Sequence, residues 1–121
     1  MEIQLDILSE DLNDREISAL RLELLETLEN VPQVDMVKPV QEPAPAGQKG
    51  GLVDALGSLL IAIPVEAITG VLSIIKAIAS RPGQPPVVFK ISRDSVEVTF
   101  DPRSIAPDEV AALAEQLRPK G

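Results

Sequence analysis

The chain has no cysteine, histidine, tryptophan or tyrosine, and its aromatic residues are Phe89 and Phe100 alone. Without thiols or imidazoles it has no disulfide, no thiolate nucleophile, no histidine base and no conventional zinc site. The scarcity of aromatics leaves the core to aliphatic side chains, which are plentiful: 45% of the 121 residues are hydrophobic and 25% charged. Basic residues are also few, eleven against nineteen acids, for a net charge of -8. That balance repels nucleic-acid phosphates and anionic lipid, so no nucleic-acid partner is expected. The length suits a single domain over 1–121 that buries one core.

Charge is unevenly spread. Residues 1–50 carry eleven acids and four bases, whereas residues 51–86 hold only Asp54, Glu66, Lys76 and Arg81. Ile3, Leu5 and Ile7 alternate with Glu2, Gln4 and Asp6, the period of a strand with one face on a core. Asn13 or Asp14 can cap a helix whose stripe is Ile17, Leu20, Leu24 and Leu28. Pro32 ends it, and Val34, Met36, Val37 and Val40 read as a second short strand cut by Pro39. Residues 41–51, QEPAPAGQKGG, are poor in apolar bulk and predict a mobile Pro/Ala/Gly loop. The GQKGG stretch lacks both the spacing and the trailing Ser or Thr of a phosphate loop.

Residues 52–79 are almost wholly apolar, and their spacing predicts a helical segment broken at Pro64. Leu56, Leu59, Leu60 and Ile63 mark the first half, and Val65, Ile68, Val71, Leu72, Ile75 and Ile78 the second. Glu66, Thr69, Ser73 and Lys76 form a polar stripe in the second half. The charge-free runs Ala55–Val65 and Ala67–Ile75 fall short of the ~18 to 20 residues of a membrane span. Glu66 would cost about 2.5 to 3.5 kcal/mol near mid-bilayer. A soluble core is the first expectation for this segment. An interaction surface, or an oligomeric insertion with Glu66 and Thr69 lining a polar interior, is the second.

Alternation returns in Val87, Phe89 and Ile91 and in Val96, Val98 and Phe100, joined by Ser92–Ser95 as a hairpin. Pro107, Asp108 and Glu109 suit a helix first turn, with Val110, Leu113 and Leu117 as its stripe. The order of elements predicts an α+β fold, a small mixed sheet around an aliphatic core. Catalysis is not expected. The serines lack a histidine, and the candidate carboxylate pairs Asp11 with Asp14, Asp35 with Glu42 and Asp94 with Asp101 lie in turns or on polar faces where acids are solvated. No calcium-loop spacing occurs, and neither a metal nor a cofactor is expected. Met1 is followed by Glu2 and an acidic strand rather than by an apolar signal region, which makes the cytoplasm the expected location.

Several stretches together resemble the first type of the effector-associated constant component family of bacterial conflict systems. They are the leading strand and Leu-rich helix, the loop ending KGG at Lys49–Gly51, the LxxALGSLLxAI run from Leu52, VLSIIKAIASR from Val71, and the hairpin VVFKISRDSVEVTFDP with its following helix. Where members carry Gly in the hairpin turn, this chain has Arg93 and Asp94. The resemblance implies a non-enzymatic accessory component of antiviral defence or programmed cell death, paired with a caspase-like or trypsin-like protease effector and acting by protein–protein interaction or as a homo-oligomer. An alternative is that cleavage at Lys49–Gly50 releases 52–79 as a membrane-inserting or pore-forming effector, membrane-associated only after activation. The candidate interaction or membrane residues are Leu56, Leu60, Ile63, Pro64, Glu66, Ile68, Leu72, Ile75 and Lys76.

Overall fold

The structure is a computed structural model that describes residues 1–9, 12–43, 52–84 and 86–119. Strand β1 (Glu2–Leu8) is followed by helix α1 (Asp14–Glu29), strands β2 (Met36–Pro43) and β3 (Leu52–Ala62), a 3-10 turn (Val65–Ala67) and helix α2 (Ile68–Ala79). Strands β4 (Val88–Arg93) and β5 (Val96–Phe100) and helix α3 (Pro107–Leu117) complete the chain. The fold is α+β, as the sequence predicts, and its sheet is antiparallel throughout rather than mixed, in the order β2-β3-β1-β4-β5. The first six regular elements trace a split βαββαβ arrangement, to which β5 adds one edge and α3 a further helix.

Residues 52–62 are the main departure from the sequence reading. They are a strand, not the first half of a helical pair, and β3 lies between β2 and β1 with Leu59 opposite Leu5 and Ile61 opposite Ile3. Leu59, Ile61 and Ile63 point into the core while Leu60 and Ala62 are half-buried on the other face. Both faces are therefore apolar, and the period of two is hidden beneath a continuous hydrophobic run. Two neighbouring ladders satisfy its backbone, which a solitary helical half-segment would not offer to β1 or β2. β2 also outlasts the expected break. Pro39 is tolerated because β2 is an edge strand, and the ladder continues through Gln41–Asp54 to Pro43–Leu52, so that 41–43 are strand where a loop is expected. The remainder of that loop, including Lys49 and Gly50, lies outside the described residues.

Between Pro39 and Gln41 the register shifts, and residues 55–58 of β3 stand opposite Val40 alone. Gly57 sits in this bulge at φ 85°, and α1 crosses it so closely that a Cβ there would lie 2.8 Å from Cγ2 of Ile17. Only glycine combines that backbone with that approach.

All three helices cover one face. Ile3, Leu5, Leu59, Ile61, Phe89 and Ile91 meet Leu20, Leu24 and Leu28 of α1, Val71, Leu72, Ile75 and Ile78 of α2 and Val110, Ala114 and Leu117 of α3 in a single cluster. Phe89 and Phe100 pair across β4 and β5 edge to face, with centroids 5.8 Å apart. Asn13 is the cap of α1, completed as a capping box by Glu16. α3 begins with Pro107 and ends against the hairpin: Arg93 donates from Nε to the Leu117 carbonyl and from Nη2 to that of Arg118 (3.3 Å).

Candidate interaction surfaces

Among the described residues, nothing covers the face of the sheet away from the helices. Its apolar members are Leu8, 41% exposed, with half-buried Met36, Leu60, Ala62 and Val88. At its centre three strands bring together a polar network. Asp6 on β1 accepts from the Ser58 hydroxyl at 2.6 Å and from the Gln4 amide at 3.0 Å, and Lys90 on β4 stands 3.6 Å from its second carboxylate oxygen. Ser58 is buried and the Asp6 side chain is 13% exposed, so these partners replace lost water. Because Asp6 faces Ser58 on one side and Lys90 on the other, the network also holds three strands in register; a one-residue slip would turn every member to the helical face. Asp6 and Ser58 are separated by 52 positions, and no local pattern predicts their meeting.

The residues singled out from the sequence divide between interior and surface. Ile63, Ile68, Leu72 and Ile75 are core, each at most 1% exposed. Leu56 lies in β3, Leu60 is on the uncovered face, Pro64 and Lys76 are half-buried, and Glu66 is exposed at the turn before α2. Around α2 the solvent side is made of Gly70, Ser73 and Ala77, while Thr69 is half-buried. The segment is thus woven into the fold. Membrane insertion by 52–79 would require drawing β3 from between two strands and emptying the core of α2, and no helix among the described residues is long and apolar enough to cross a membrane.

A second surface lies beside β5. A cleft of about 350 Å³ runs between that strand and α3, lined by Thr99, Phe100, Asp101, Ser104, Ile105, Glu109, Ala112, Leu113 and Gln116. Phe100 and Ile105 are nearly buried at its floor and Leu113 is half-buried on its helical wall. Asp101 accepts from the Arg103 amide and the Ser104 hydroxyl, and Glu109 accepts from the Ala106 amide. From the sequence this stretch reads as a strand end and a helix first turn and stripe, with Asp101 paired on paper with Asp94, and nothing in it brings Asp101 and Glu109 to one cleft. Among the described residues no cluster of Asp and Glu is arranged to hold a metal ion. No family model, curated protein or solved structure matches the chain.

Proposed function

We propose that the chain is a non-enzymatic accessory component of a bacterial defence system that works by binding other proteins, a caspase-like or trypsin-like protease effector foremost. The family resemblance supplies the biological setting. The observation that carries the binding role is the sheet itself: helices cover one face, and the other presents Leu8, Leu60 and Val88 around a satisfied polar centre, between two edges that are unpaired among the described residues. An apolar rim of this kind around fixed polar groups suits a protein partner.

The test is calorimetric titration of the purified chain with a purified caspase-like or trypsin-like protease from the same source, repeated with Leu60→Glu. Leu60 faces Gln4 and Lys38 across its two ladders, so the new carboxylate has polar neighbours and the fold is expected to persist. Capture should weaken about tenfold while the melting temperature stays within a few degrees. An effector that does not bind the unaltered chain defeats the reading, and equal binding by both chains removes this face from it.

A further inference from the structure

The edge of β5 and the cleft beneath it form one continuous groove, and we propose that it takes an extended, basic and apolar peptide segment of a partner protein as a sixth strand. The inference rests on the protein-binding reading and names what the partner offers. Among the described residues β5 ends the sheet, paired only with β4. The two-residue turn Asp94–Ser95 makes Arg93 and Val96 the pair that closes the hairpin, so the alternation of an antiparallel ladder turns the backbone groups of Glu97 and Thr99 outward. These are the groups that a strand laid alongside would engage.

Beneath such a strand lies the cleft. Alternate side chains of the added segment would point toward α3, and one apolar side chain would rest on Phe100, Ile105 and Leu113. The intervening side chains would lie on the uncovered face beside Glu97. Charge chooses the segment. Glu97 is exposed next to the free edge and Asp101 and Glu109 line the cleft, and among the described residues none of the three is in an ion pair. The nearby Arg103 donates from its guanidinium to the Gln84 carbonyl and forms no ion pair with any of the three. With a net charge of -8 on each chain, a basic segment is favoured over a second copy.

The probe is a labelled heptapeptide alternating lysine with valine or leucine, titrated against the full chain up to about 1 mM, where even a weak complex is seen. Two peptides run beside it, one with glutamate for lysine and one with the lysine charges kept but proline at the centre. The lysine peptide should bind, the glutamate peptide at least about tenfold more weakly, and the proline peptide not at all. Thr99→Pro, which removes an outward N–H on an edge strand, should abolish binding while Thr99→Ala retains it. The pair Asp101→Asn with Glu109→Gln keeps the local hydrogen bonds and should weaken binding about fivefold. No binding by the unaltered chain, equal binding of all three peptides, or undiminished binding by Thr99→Pro would each overturn the proposal. So would a dimer of the unaltered chain that Thr99→Pro dissociates, since the groove's occupant would then be a second copy. An effector captured equally well by Thr99→Pro would sink this proposal and leave the protein-binding reading standing, whereas failure of effector capture by the unaltered chain would defeat that reading whatever the peptides do.

Discussion

Two glycines of the apolar segment have opposite meanings. Gly57 holds φ 85° under Ile17, whereas Gly70 is on the solvent side of α2 with nothing within 4 Å of where a Cβ would stand. Gly57→Ala meets backbone strain and a collision together and should destabilise by about 2 to 3 kcal/mol. Gly70→Ala should stabilise by about 0.5 to 1 kcal/mol, since it limits the unfolded chain and suits a helix. Urea titration of both variants checks the contrast; a neutral Gly57→Ala would mean that β3 relaxes away from α1. Of the two, only Gly57 is held in close approach to a neighbouring element, inside the monomer.

Among the elements, α3 depends on a residue outside itself. Its last turn has no basic side chain, and Arg93, at the end of β4, donates to its terminal carbonyls in that role. Arg93→Met should cost about 1 to 2 kcal/mol and speed hydrogen exchange in the last turn of α3 more than in α1. Unchanged exchange there would show that packing of Val110, Ala114 and Leu117 holds the helix alone. The elements also show how far the residues could be read. β1, α1, the hairpin and α3 were legible because each has one wet and one dry face, so Ile3-Leu5-Ile7 or Leu20-Leu24-Leu28 spells its own period. β3 was not. Its outward residues Leu60 and Ala62 are as apolar as its inward ones, and twelve residues without a break before Pro64 is the length of a helix more than of a strand. The surfaces were less legible still, because Asp6, Ser58 and Lys90 converge through strand pairing, and the β5 groove exists only once α3 has folded back beside the hairpin.

Over the whole molecule, the position of β3 governs what a cut between β2 and β3 can do. Residues 1–49 include β1, α1 and β2, and all three of them contact β3. A chain carrying a specific protease site in place of 44–50 should therefore elute after cutting as one particle of unchanged size, and should release no dye from liposomes. Separation of the pieces, or leakage that begins with the cut, would favour the membrane-inserting alternative. The same weave bears on how the molecule is made. Of the five strands, β1 is made before the other four and is the middle one of the finished sheet, and its two partners are residues 58–62 and 88–92. One of its ladders can form once β3 has been made, but the other waits for β4, so the sheet cannot close around its central strand until most of the chain has been synthesised. Assembly should finish late, and the acidic residues crowded into the first fifty would keep the waiting chain in solution until β4 arrives.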